Sequence, residues 1–316
     1  MVQLFLIGIS AGAATALLFA SAASGSPLAV LLTQLAPLPI LIVALGWSHW
    51  AAFVAAAIAS LVLAAVLSRF FLIAFLVSVG LPAWWLGYLA LLARPAERPT
   101  EGGLDWYPAG RLVVWAAILG ALIIVVAILN VSTDADTFNQ VVRKAIERML
   151  TELNRRSEAP GDMTRAADLL VAALPGAAGV FHTLTLIINL WLAARIVSIS
   201  GRLRRPVPDI AAMQFPAFAP VVTGTAFAVS FLPGMIGIAA GVLAASMLTV
   251  YAVLGFAVLH KITRGASNRP LVLGGAYAAL LFVWPVLFMT LLGLADTAFD
   301  LRGRVARRGG PTNPQS

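Results

Sequence analysis

The chain has 316 residues, no cysteine and a formal net charge of +8, and only 11% of its residues are charged whereas 61% are hydrophobic. Because soluble domains carry roughly 25% charged residues, this composition excludes an ordinary soluble enzyme, and the missing cysteines exclude disulfides, thiolate catalysis and cysteine-ligated metals or clusters. The basic residues flank long uncharged runs, a pattern that indicates membrane orientation and contact with anionic lipid and not nucleic-acid binding.

The uncharged runs predict an all-α polytopic transmembrane bundle of eight or nine helices, since about 20 apolar residues cross a bilayer as a helix. The predicted spans are Leu4–Ala23, Pro27–Gly46, Trp50–Ser68, Phe70–Leu92, Leu112–Asn130, Leu169–Val197, Phe218–His260 and Leu271–Leu294. Phe218–His260 is too long for one crossing at about 1.5 Å per residue. Pro233-Gly234 is expected to divide it into two helices, or into a re-entrant segment and a helix.

The basic residues predict the orientation through the positive-inside rule. The loops 94–111 and 195–205 and the tail 302–308 are basic and are expected inside, whereas 131–168 carries six basic and seven acidic residues and fits the outside. The basic stretch 261–269 conflicts with this scheme if Leu271–Leu294 crosses once. We therefore expect both termini inside, with Val221–Leu232 only partly crossing, in a multi-pass protein of the bacterial inner (plasma) membrane.

The chain divides into a first transmembrane half (1–130), an extramembrane loop (131–168), a second transmembrane half (169–299) and a basic, disordered tail (300–316). In the loop, apolar residues at helical spacing predict one amphipathic helix over Thr137–Leu153. Asp134 and Asp136 precede it, where acidic residues cap a helix. Two interpretations stay open: an interfacial helix lying on the membrane, or a lid or partner-docking helix over the bundle.

Small residues recur every four positions in two of the spans, and such rows let helix backbones approach closely in lipid. The rows are Gly8, Gly12, Ala16 and Ala20 in the first span, and Ala51, Ala55 and Ala59 in the third. They are explained either by packing within the bundle or by a docking face for another membrane subunit.

A few polar and aromatic side chains occur at membrane depth, where polar groups are costly and tend to face the interior. The candidate substrate-binding residues are Trp84, Tyr88, His182, Asn189 and Trp284. His182 and Asn189 are seven residues apart and share a helix face that either lines a ligand cavity or forms interhelical hydrogen bonds. The aromatic residues also fit the interfacial belts of a membrane protein.

The sequence contains no signature of catalysis. No charged side chain is evident within the spans, the three histidines are isolated, and no His-Glu-x-x-His, Gly-x-Ser-x-Gly or phosphate-loop motif occurs. We therefore expect a protein that is not an enzyme, binds no metal or cofactor, and depends on a partner for any use of ATP.

Several short motifs resemble the YybS-like bacterial membrane proteins, a domain family of unknown function. They are Ala36-Pro37-Leu38-Pro39-Ile40, Gly80-Leu81-Pro82-Ala83 with Gly87, Leu292-Gly293-Leu294-Ala295-Asp296 and Phe299-Asp300-Leu301-Arg302. That family is similar to the S components of energy-coupling-factor transporters, which bind a vitamin or metal and dock on a transmembrane coupling subunit driven by two ATPases. The resemblance implies a solute-binding subunit whose small-residue rows form the docking surface; this chain departs from it in having more than the usual six spans.

The end of the last span supplies a further candidate docking group. Asp296 and Asp300 are four residues apart and Arg302 follows. These groups either pair with each other or with a partner, or they form a solvated helix end. The sequence thus leaves two functions open: a non-enzymatic, S-component-like subunit that binds and transports a small solute with partner subunits, or a membrane scaffold for envelope assembly without a solute.

Overall fold

The computed structural model describes residues 2–96, 103–154, 163–280, 282 and 284–308. In this part of the chain the helices are α1 (Val2–Ala20), α2 (Pro27–Gln34), α3 (Pro37–Gly46), α4 (His49–Val66), α5 (Arg69–Phe75), α6 (Leu81–Ala90), α7 (Ala109–Val131), α8 (Ala135–Asn154), α9 (Met163–Ile199), α10 (Ala219–Val229), α11 (Gly234–Ile262), α12 (Arg269–Ala279), α13 (Trp284–Phe299) and α14 (Leu301–Arg308). The strands β1 (Ala93–Pro95) and β2 (Leu104–Trp106) pair antiparallel.

The predicted all-α membrane bundle is confirmed. Seven helical stretches are long and apolar enough to cross a membrane, and they correspond to the predicted spans up to Leu169–Val197 and to the second part of Phe218–His260. Prolines and serines set several boundaries. Pro37 begins α3 and so divides the second span into two helices, and Ser48 caps α4 by accepting a bond from the backbone N–H of Trp50.

The predicted amphipathic helix is also confirmed, as α8. Asp134 accepts a 2.8 Å hydrogen bond from the backbone N–H of Thr137 at its start, as expected of a cap. Its buried apolar residues Phe138 and Ile146 pack on side chains of α11 and α9, including Val242 and Val171. The apolar face of α8 therefore lies on the bundle, which agrees with a helix covering the bundle more than with one lying on lipid alone.

One end of the bundle, here called the basic end, is defined by three hydrogen bonds to the segment that follows α9. Arg205 Nη1 donates to the carbonyl of Ala90 at 3.0 Å, and Arg264 Nη2 donates to Asp209 Oδ1 at 2.9 Å. Arg302 Nη1 donates to the carbonyl of Ala211 at 2.9 Å. The carboxyl ends of α6, α9, α11 and α13 therefore meet at the basic end.

Because α11 and α13 end together, the chain between them turns back, and α12 lies at the surface of the bundle, since none of its residues is buried. In α12, Tyr277 accepts or donates a 2.9 Å bond with His260 and stacks on Phe256, so α12 runs back along the last turns of α11. Leu271–Leu294 is consequently not a single crossing but a re-entrant pair, α12 and α13. This corrects the predicted last span and places the basic stretch 261–269 on the same side as α14.

That Val221–Leu232 only partly crosses stays a prediction, since the helix that contains most of this stretch is not among the seven that are long enough to cross a membrane. The helix α10 has eleven residues, about 16 Å at 1.5 Å per residue. It is followed by a turn at Ser230–Gly234 that shares a pocket with Asp134, at the end opposite to the basic end. The turn that follows α10 therefore lies beside the start of α8.

The predicted tail from 300 is helical at first. Leu301–Arg308 form α14 because Arg302 is anchored by Asp296, while residues 309–316 lie outside the described residues.

Candidate functional site

A cavity of about 520 Å³ lies at the basic end between α7, α9, α11 and the segment that follows α9. Its walls are almost entirely apolar. The lining residues are Leu45, Ala90, Ala109, Leu112, Val113, Ile187, Ile188, Leu190, Trp191, Ala194, Arg195, Leu203, Arg205, Val207, Pro208, Ile210, Met213 and Val253. Small-molecule sites have about this volume and this apolar character, with a few polar groups that orient the ligand.

Two elements shape the cavity. On α9, Ile187, Trp191 and Ala194 recur at helical spacing and present one continuous face to it. The segment 203–213 closes the basic end, and its prolines at 206 and 208 restrict the backbone φ angle. The side chain of Asp209 caps the short turn Ile210–Ala212 by accepting the N–H of Ala211 at 3.0 Å.

The closing segment is held by charged groups from other helices. Arg264 at the end of α11 lowers the pKa of Asp209 chiefly through its hydrogen bond, with its positive charge adding to the effect. Arg302 holds the carbonyl of Ala211 from α14. The cavity therefore depends on contacts between distant parts of the chain.

Arg205 is the main polar group at the cavity. Its Nη1 donates to the carbonyl of Ala90, but its Nε is buried and has no hydrogen-bond partner among the described residues. Burial lowers the pKa of Arg205, yet arginine stays charged in proteins. Arg195 is the second charged lining residue, and none of the described lining residues is acidic.

The predicted pair His182 and Asn189 forms interhelical hydrogen bonds. His182 Nε2 bonds to the carbonyl of Ser78 at 3.1 Å, and Asn189 Nδ2 donates to the carbonyl of Gln34 at 2.8 Å. Thr185 completes the network by donating to Gln34 Oε1 at 3.0 Å. These groups join α9 to α2 and to the π-helical stretch Leu76–Gly80 before α6, and they do not line the 520 Å³ cavity.

The predicted aromatic residues do not converge with that pair. Trp84 and Tyr88 stack in α6 with centroids 6.1 Å apart, and His49 of α4 lies 5.3 Å from Tyr88. Trp284, at the start of α13, is 60% exposed and contacts Phe288. The five candidate substrate-binding residues are therefore spread over three regions of the bundle.

The predicted docking rows pack against each other inside the chain. A Cβ atom on Gly8 would lie 2.9 Å from the carbonyl of Ala51, and one on Gly12 would lie 2.7 Å from the carbonyl of Ala55. Ala16 and Ala59 are buried as well, whereas Ala20 is half-buried. These contacts agree with the interpretation of packing within the bundle, because the row on α1 is covered by α4 and the row on α4 by α1.

Arg302 and Asp296, the other predicted docking residues, pair with each other, and Asp300 contacts α14. Asp300 Oδ1 accepts the N–H of Gly303 at 3.2 Å, and its backbone φ is +48°. The described residues contain no group of three or more His, Cys, Asp or Glu side chains placed to hold a metal ion.

In the sequence, Arg195 and Arg205 served only to predict orientation, and their position at the cavity was not predicted. One feature of the sequence could have indicated the cavity: the apolar face of α9 that begins at Ile187 ends in a charged residue, Arg195. The folding of the segment 203–213 back onto α7 carries no local signal.

A family model described as "Predicted membrane protein (DUF2232)" matches residues 13–297. No curated protein matches the chain significantly, and no solved structure does so either. The match bears out the expected kinship with an uncharacterised family of multi-pass membrane proteins.

Proposed function

The chain belongs to the DUF2232 family of predicted membrane proteins, and from that premise we propose that it is a non-enzymatic inner-membrane subunit that binds a small, largely apolar solute. The observation that supports this function is the 520 Å³ cavity with apolar walls at the basic end. Its size and lining are those of a small-molecule site. We place the basic end in the cytoplasm because it gathers the basic residues that follow α6, α9 and α11.

Transport of the solute, in the manner of an S component, needs partners. The proposed partners are a transmembrane coupling subunit and ATPases, since the chain has no phosphate-binding loop of its own. The small-residue rows of α1 and α4 are covered, so such a subunit would dock on other lipid-facing surfaces. A scaffold for envelope assembly is the competing function, and it requires no solute.

The solute is tested by native mass spectrometry of the protein purified in a mild detergent. Leu190→Trp fills the cavity, and Leu61→Trp is the matched control because Leu61 lies on the outer face of α4 and is 58% exposed. We expect the wild type and Leu61→Trp to carry a bound small molecule that Leu190→Trp lacks. A wild type without a bound molecule, or equal retention by all three proteins, would overturn the proposed site.

Partners are tested by a pull-down of the tagged protein from its native membrane, with mass spectrometry of the proteins recovered. Recovery of a membrane coupling subunit and ATPases supports the transport role. Recovery of envelope assembly proteins without them favours the scaffold.

A further inference from the structure

The charge of the cavity at the basic end is unbalanced. Among the described residues, Arg205 and Arg195 line it together with sixteen uncharged residues and without an acidic one. Within the part of the chain that the structure describes, Arg205 makes one hydrogen bond, to the neutral carbonyl of Ala90. Arg205 is half-buried, and a charge partly removed from water without a counter-ion is unfavourable, so the arrangement favours an anion.

The buried Nε of Arg205 indicates which kind of anionic group would bind. This atom is shielded from solvent and has no acceptor among the described residues. A carboxylate or phosphate accepts two parallel N–H bonds from a guanidinium, and Nε with one terminal nitrogen presents such a pair. Because Nη1 is used by Ala90, Nη2 remains for an anionic group, and Nε joins it when the side chain turns toward the cavity.

The walls require that the anion carry an apolar chain. From Arg195 the lining continues along α9 to Ile187, a distance of about 12 Å for eight residues at 1.5 Å each. Val253 of α11 and Leu112 of α7 complete this apolar part. An inorganic anion would leave it unfilled, whereas an apolar chain fills it and makes dispersion contacts with the walls.

The cavity also has a side that faces outward. Ile188 and Trp191, both lining residues, are each 50% exposed on the surface of α9. In a membrane this surface faces lipid, so a ligand that resides in the bilayer reaches the cavity laterally. The basic end is also where anionic head groups gather near Lys and Arg.

We propose that the cavity binds an amphiphile with one anionic head group on an apolar chain, and that Arg205 binds the head group while Arg195 attracts it at the rim. The proposal rests on the proposed function, since it names the class of solute for the same cavity. A fatty-acid carboxylate and a lipid phosphate share this chemistry.

The test measures binding of four probes to the purified protein in a non-ionic detergent by native mass spectrometry. The probes are oleate, 1-oleoyl lysophosphatidic acid, uncharged oleyl alcohol and inorganic phosphate. We expect both anionic amphiphiles to bind the wild type at least about tenfold more tightly than oleyl alcohol, and inorganic phosphate not to displace them. The tighter of the two anionic probes identifies the head group.

The role of Arg205 is tested with Arg205→Gln, which keeps an N–H donor for Ala90 but removes the charge. We expect it to weaken binding of the anionic probes about tenfold or more and to leave oleyl alcohol unchanged. Arg204→Gln is the matched control, because Arg204 is exposed and does not line the cavity. It should bind all probes as the wild type does.

The outcomes separate this proposal from the one on which it rests. Equal binding of oleate and oleyl alcohol to the wild type, both lost in Leu190→Trp, would leave the cavity a solute site but overturn its preference for anions. Displacement of oleate by inorganic phosphate would overturn the need for a chain. Absence of binding by every amphiphile would overturn this proposal, while the proposed function would be overturned only if the purified wild type also carried no small molecule that Leu190→Trp lacks. The comparison of probes on the wild type does not depend on how any variant folds.

Discussion

Asp296 and Arg302 form a buried ion pair at the junction of α13 and α14. Asp296 Oδ2 accepts hydrogen bonds from Arg302 Nη2 at 2.7 Å and from Nε at 3.0 Å, and the two side chains are 4% and 11% exposed. Arg302 also reaches the carbonyl of Ala211. One pair therefore connects the end of the bundle to the segment that closes the cavity.

Removal of either partner of this pair should destabilise the protein strongly, because the other charge is left buried. We expect Asp296→Ala to lower the free energy of unfolding by about 3 kcal/mol, the range for broken buried pairs, as measured by thermal unfolding in detergent. Asp300→Asn is the control, since Asp300 is exposed and asparagine tolerates its positive φ. Equal stability of the two variants would show that the pair contributes little.

The contact between α11 and α13 should not tolerate a methyl group. A Cβ on Gly255 would lie 1.9 Å from the carbonyl of Met289, and one on Gly293 would lie 2.1 Å from that of Tyr251. We expect Gly255→Ala to destabilise the fold by about 3 kcal/mol, at the upper end for overpacking. Gly274→Ala in α12 meets nothing within 4 Å and should be neutral or slightly stabilising. Matching melting temperatures for the two alanine variants would contradict the close approach.

Asn189 should contribute to the stability of the fold and not to solute binding. Asn189→Ala removes the hydrogen bond to the carbonyl of Gln34, and interhelical bonds in membranes contribute about 1 kcal/mol. We expect that loss of stability together with unchanged retention of the bound small molecule. Asn130→Ala is the control, because within the described part of the chain the side chain of Asn130 bonds to Val126 of its own helix. A variant that loses the small molecule but keeps its stability would restore Asn189 as a binding residue.

The re-entrant arrangement of α12 and α13 predicts that Ser267 and Val305 lie on the same side of the membrane. The chain has no cysteine, so single thiols at Ser267, Val305 and Thr151 report their own position. We expect Ser267→Cys and Val305→Cys to react with an impermeant maleimide from the same side of the membrane, and Thr151→Cys from the other. Reaction of the thiols at 267 and 305 from opposite sides would mean that Leu271–Leu294 crosses once.

The sequence by itself determined the membrane class, most of the crossing helices and the amphipathic helix α8. These features are local, since the length of an apolar run and the spacing of apolar residues along one helix need no distant partner. The tertiary structure decided that Leu271–Leu294 turns back, that the rows of α1 and α4 face each other, and that His182 and Asn189 bond to other helices. It also decided where the cavity lies, because Arg205 meets Ala90 across 115 positions of sequence, and such an approach is set by packing of the whole bundle.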